Sequence, residues 1–124
     1  MKFRYARHCQ DILNMKDFYA GVLGMDLLGG FQSHAGYDGI FLGKEGCDWE
    51  IEFTQSPDQA VHHPDEDDLL VFYIDKKEEW NALQADLTEV GIEMLEAKNP
   101  YWNKGAMYFL DPEGYGVVLF PKFK

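Results

Sequence analysis

The chain has 124 residues, with 11 Lys+Arg against 22 Asp+Glu and a formal charge of −11, a length that suits one domain. Hydrophobic residues make up 46% and aromatics 15%, too much apolar surface for a disordered acidic tail, and the negative charge argues against nucleic-acid and anionic-membrane partners. No window approaches about 18 apolar residues and the N-terminus lacks the pattern of a signal peptide, so the chain is expected to be soluble and cytoplasmic with Cys9 and Cys47 reduced.

Lys2 to Cys9 alternates partially and predicts a first strand with the side chains of residues 4, 6 and 8 on one face. Residues 14–23 change period. Met15, Phe18, Tyr19, Val22 and Leu23 recur at helical intervals, with Asp11 or Asn14 available as cap and Gly24 placed to end the helix. Glycines then punctuate short apolar runs, which predicts strands near 26–33, 37–43 and 47–55, with Gly29-Gly30 marking a bulge or bend. In the third of these, Glu50 and Glu52 share one face, and Trp49, Ile51 and Phe53 the other.

Residues 56–67, with two prolines and a run of acids, read as a surface connection. His62-His63 sits within it; neighbours in an extended chain point oppositely and are poorly placed to share one ion. Leu69 to Ile74 predicts a strand, Asp75 with Glu78 a capping box, and Trp80, Leu83, Leu87 and Val90 a helix ended by Gly91. Further strands are expected over Ile92 to Glu96, Gly105 to Leu110 and Tyr115 to Pro121, with Asn99-Pro100-Tyr101-Trp102 a loop and Asp111-Pro112-Glu113-Gly114 a turn. The order repeats. Two β-α-β-β-β units follow, residues 1–55 and 68–124 joined by 56–67, in one α+β domain.

Asp11 followed by Phe18-Tyr19 and Val22-Leu23-Gly24, then Phe72-Tyr73-Ile74-Asp75, Gly91 and the Asp111-Pro112-Glu113-Gly114 turn, together resemble the vicinal oxygen chelate superfamily. That superfamily includes glyoxalase, extradiol dioxygenases and bleomycin resistance proteins. The Asn99-Pro100-Tyr101-Trp102 loop looks like one found in small bacterial members. The resemblance implies curved mixed sheets around a cavity, commonly completed in a homodimer, with one metal ligand on the first and last strand of each half. Carried onto this chain, those four positions are Arg4, Glu52, Leu69 and Val118, of which only Glu52 has a donor for a metal. An arginine stays protonated and repels a cation, so neither metal nor other cofactor is expected.

Arg4 and Glu52 are expected as cross-strand neighbours filling the metal's place, with Leu69 and Val118 as the apolar pair opposite, giving a site half ionic and half apolar. Glu50 shares the face without an assigned cation, and His8 is placed to pair with it or to act as a base. Tyr101 and Trp102 either cover the cavity mouth or pack beneath their loop. With Tyr73, these residues form the candidate ligand set. The first functional expectation is a metal-free protein that sequesters a small organic molecule, a cationic aromatic one suiting acidic residues around an aromatic cleft. The alternatives are an isomerase or lyase using Glu52 or His8 as base, and a metal-dependent enzyme of the superfamily if the strand alignment is out by a residue.

Overall fold

The computed structural model describes residues 1–123. The chain divides into two compact units, Met1–His62 and His63–Lys124, with the division inside the expected connection. In the first unit, β1 (Phe3–His8) leads to α1 (Ile12–Lys16), a π-helical continuation (Asp17–Val22), and then β2 (Asp26–His34), β3 (Tyr37–Gly43) and β4 (Trp49–Gln55). The sheet order is β1-β4-β3-β2; β1 runs parallel to β4 and the other pairs are antiparallel.

The helix starts earlier than residue 14. Asp11 caps it, accepting from the amides of Leu13 and Asn14 at 3.1 Å each. Its second half widens, the Leu23 amide reaching back five residues to the Phe18 carbonyl, and Gly24 closes it at φ +74. This geometry buries the adjacent residues Phe18 and Tyr19 together. Helix α1 packs on β3 and β4, with Tyr19 against Phe53 at 5.1 Å. Met15, Tyr19, Leu42 and Phe53 have no exposed surface, each contributing about 1.5–3 kcal/mol by leaving water. Their face of the sheet is therefore spoken for. The opposite face carries Arg4, Glu50, Glu52 and Phe41, which the register places side by side.

In the second unit, β5 (Leu69–Ile74) is followed by α2 (Lys77–Glu89), a 3-10 turn (Pro100–Asn103), β6 (Met107–Leu110) and β7 (Gly116–Pro121). The sheet order is β5-β7-β6, with β5 parallel to β7 and β6 antiparallel to it. Leu83 and Leu87 of α2 are buried, while Val90 is 54% exposed, so the apolar stripe ends a turn early. The expected capping box does not set the start: the N-cap is Lys76, which makes no side-chain cap bond.

The strand expected over Ile92 to Glu96 is not formed, so this unit is β-α-β-β. The Leu95 amide donates once to the Tyr108 carbonyl at 2.8 Å. Two residues later the Asn103 side-chain amide takes over both backbone groups of Ala97, accepting from its N–H at 2.8 Å and donating to its carbonyl at 2.9 Å. A side chain has replaced the neighbouring strand. The Asp111 turn forms as expected: its carboxylate accepts from the amides of Glu113 at 2.9 Å and Tyr115 at 3.1 Å.

Candidate functional site

On the face of the first sheet opposite the helix, the parallel register sets Arg4 opposite Glu50 and Ala6 opposite Glu52. Arg4 Nε donates to Glu50 Oε1 at 2.7 Å, and its Nη2 meets the same oxygen. Its Nη1 also reaches Glu52 Oε1 at 3.3 Å, and the guanidinium lies 4.4 Å from the Phe41 ring centroid. Lys2 Nζ lies 3.5 Å from Glu50 Oε2.

Two expectations change. The direct neighbour of Arg4 is Glu50, with Glu52 the second contact, and Glu50 has two cations rather than none. The bond from Arg4 is the main influence holding the Glu50 carboxyl below its ordinary value; loss of hydration opposes this, while the charges of Arg4 and Lys2 add to it. The same bond raises the Arg4 guanidinium. His8 is not paired with Glu50. It sits opposite Thr54, with its Nε2 3.0 Å from Ser56 Oγ and its ring edge-on to Tyr37 at 6.3 Å.

Lys2 and Phe41 were missed as neighbours of this group. The position of Phe41 in the 37–43 strand fixes its face only once its partner is known to be Glu52.

In the second unit, Leu69 stands opposite Gly116, and Val118 opposite Val71. Leu69 and Val118 are therefore not direct partners, although both belong to one apolar cluster with Tyr108, Leu95 and Trp102. Val118 is fully buried there. The end of the same face carries an aromatic group: Tyr73 lies 5.7 Å from Phe120, Tyr101 stacks on Phe120 at 6.0 Å and 13°, and Trp102 meets Tyr101 edge-on at 4.9 Å. Asn99 holds this turn by accepting from the Tyr101 amide at 3.0 Å. Trp102 packs inward, whereas Tyr101 and Tyr73 remain about half exposed. Packing beneath the loop is seen for Trp102, while Tyr101 keeps its ring on the surface against Phe120.

The donor chemistry does not fit a divalent metal. Of the four positions implied by the resemblance, Arg4 is a cation engaged with carboxylates, while Leu69 and Val118 have no lone pair to offer. Among the described residues, no group of three or more His, Cys, Asp or Glu side chains is placed to hold a metal ion. No helix among them is long and apolar enough to cross a membrane.

The two mixed sheets, each flanked by a helix, give the chain a fold that it shares with solved structures of glyoxalase and antibiotic-binding proteins. Glyoxalase I of Leishmania major is similar with a TM-score of 0.73 at 20% identity, over 95% of this chain and 84% of that one. The antibiotic binding protein TnmS3 of Streptomyces sp. CB03234 is similar with a TM-score of 0.71 at 22% identity, over 98% and 94%.

The chain belongs to the YycE-like family: residues 3–54 match the YycE-like N-terminal domain and residues 67–121 the YycE-like C-terminal domain. It is 35% identical to the uncharacterised protein YycE of Bacillus subtilis over 121 residues, covering 95% of this chain and 86% of that one. The crystal structure of a YycE protein from that organism, of unknown function, is similar with a TM-score of 0.85 at 34% identity, over 96% and 88%.

Proposed function

We propose that this chain binds a small organic molecule without a metal, and that the aromatic end of the second sheet is where a planar ligand stacks. The observation that carries the reading is Arg4: the position where the resemblance would put a metal ligand holds a guanidinium already bonded to Glu50 and Glu52. A coordinated ion and that cation would repel one another across the same carboxylates. The half-exposed rings of Tyr73 and Tyr101, backed by Phe120, supply the contact area. The net charge of −11 favours a cationic aromatic ligand over an anionic one. Binding by sequestration requires nothing further, and the resemblance adds a homodimer, which sedimentation velocity would detect.

The test is an amide and side-chain NMR titration of the chelator-treated full chain with N-methylquinolinium, and with 2-naphthol as the neutral counterpart. The expected result is saturable shifts at Tyr73, Tyr101 and the Trp102 indole, weakened in Tyr101→Ala. Binding that appears only after Mn(II) or Zn(II) is added, or that avoids these rings, overturns the proposal.

A second reading draws on Glu52, whose side chain is 15% exposed and which meets Arg4 through one oxygen at 3.3 Å. The other oxygen would serve as a base beside a guanidinium that polarises a carbonyl, giving isomerase or lyase chemistry. Glu52→Gln separates the two readings: turnover vanishes if the carboxylate moves a proton, and stacking of N-methylquinolinium is unaffected.

A further inference from the structure

We infer that a second ligand site, for a small organic ammonium ion, lies in the second unit between residues 64–66, residues 95–96 and the neighbouring ends of β6 and β7. The cleft there has a volume of about 330 Å³; Leu95 and Leu110 are among its apolar residues and Asp65, Glu66 and Glu96 its acids. Tyr108 belongs to its lining, and is 8% exposed. Its hydroxyl makes no hydrogen bond among the described residues, although its backbone carbonyl is engaged by Leu95. The ring is buried but the hydroxyl keeps contact with solvent in the cleft, so a ligand N–H can reach its oxygen there.

The charges around that hydroxyl specify the sign of the ligand. Glu66 and Glu96 have no cationic partner among the described residues, and both are exposed carboxylates on the cleft. Burial first, and then the negative charges of Glu66 and Asp67, push the Tyr108 phenol above its ordinary value, so it stays neutral. A neutral phenol oxygen accepts from an N–H while the carboxylates neutralise the charge. An anion would meet repulsion from Asp65, Glu66 and Glu96.

Position 116 belongs to the same construction. A Cβ there would lie 2.5 Å from Leu69 Cδ2 and 3.0 Å from Tyr108 Cε1, so the glycine leaves the space in which the Tyr108 ring lies. This site is at the other end of the sheet face from Tyr73 and Phe120, since Gly116 opens the ladder of β7 with β5 and the Tyr73–Phe120 pair is the last but one. The inference rests on the reading of that face as a ligand surface, but the two ends respond to different residues.

The test is an NMR titration of the full chain with benzylammonium, benzyl alcohol and benzoate at neutral pH. Benzylammonium is expected to shift the amides of Leu95, Glu96, Tyr108 and Gly114. Benzyl alcohol should bind at least about fivefold more weakly and benzoate not at all. Tyr108→Phe, which keeps the ring and its packing, should weaken benzylammonium about fivefold or more, as should the Glu66→Gln, Glu96→Gln pair. Equal binding of alcohol and ammonium, unchanged affinity in Tyr108→Phe, or shifts confined to Tyr73 and Tyr101 would overturn the site. The last outcome leaves the stacking proposal standing. Loss of N-methylquinolinium stacking with benzylammonium binding intact would do the reverse.

Discussion

Arg4 and Glu50 face one another across the parallel pair β1 and β4, joined by a 2.7 Å bond from Nε to Oε1. The carboxylate is only 6% exposed, while the guanidinium is 44% exposed and rests on Phe41. Burial of a lone carboxylate is costly, and here the cost is offset by a cation whose planar fork matches it.

This pairing predicts the acid response. The folded Glu50 carboxyl lies below its ordinary value of 4.5, so its contribution to stability is complete above that value and is lost as pH falls through the lower, folded one. Glu50→Gln should flatten the acid limb of urea-unfolding midpoints. Arg4→Met removes the main cause of the lowering and should lower the midpoint at neutral pH and flatten the same limb. An unchanged limb in both variants would show that the pair does not titrate with folding.

Metal addition is the second check. With only Glu52 of the four implied positions able to coordinate, Zn(II) or Mn(II) should leave the thermal midpoint unchanged, and so should dialysis against a chelator. A rise in midpoint that saturates at one ion per chain, and disappears in Glu52→Ala, would refute this.

Gly39 lies directly across from Phe31 in the β2/β3 ladder, and a Cβ at that position would run into the Phe31 ring. Gly39→Ala should cost about 1–3 kcal/mol in equilibrium unfolding, because the ring must leave its place over the sheet. The double variant Gly39→Ala, Phe31→Ala should recover part of the loss; no recovery would place the strain elsewhere.

Asn103 predicts a local effect. Asn103→Ala strips Ala97 of both backbone partners and should cost about 1–3 kcal/mol. Hydrogen exchange at Ala97 should accelerate while exchange in α1 does not change. Uniform acceleration would mean the clamp acts on the whole fold.

Much of the fold was legible because glycines and turns bracket short alternating runs. Leu69 to Ile74 and residues 37–43 begin and end as read. The segment Ile92 to Glu96 misled because alternation describes a strand's faces and says nothing of its partner; the Leu95 amide meets the Tyr108 carbonyl, and the backbone groups of Ala97 just beyond are held by the Asn103 side chain. The helix start was left open between Asp11 and Asn14, both able caps, and the backbone shows that Asp11 is the one that turns.

Around Arg4, the alternation gave the face, but two same-face carboxylates, Glu50 and Glu52, were equally available. Hydrogen-bond phase in a parallel ladder decides between them, and no residue type encodes it. The Tyr108 cleft was illegible because its parts come from residues 64–66, 95–96 and 108–116, none of which forms a motif alone.

The aromatic floor beneath Arg4 has one more implication. An ion pair strengthens as water is withdrawn from around it, and this one is shielded on one side by Phe41 and open on the other. Any molecule that closes over the open side would tighten the Arg4 contacts without touching the backbone. The Arg4 Nε proton would then act as an internal gauge of wetting, its exchange with solvent slowing in proportion to how completely the face is covered.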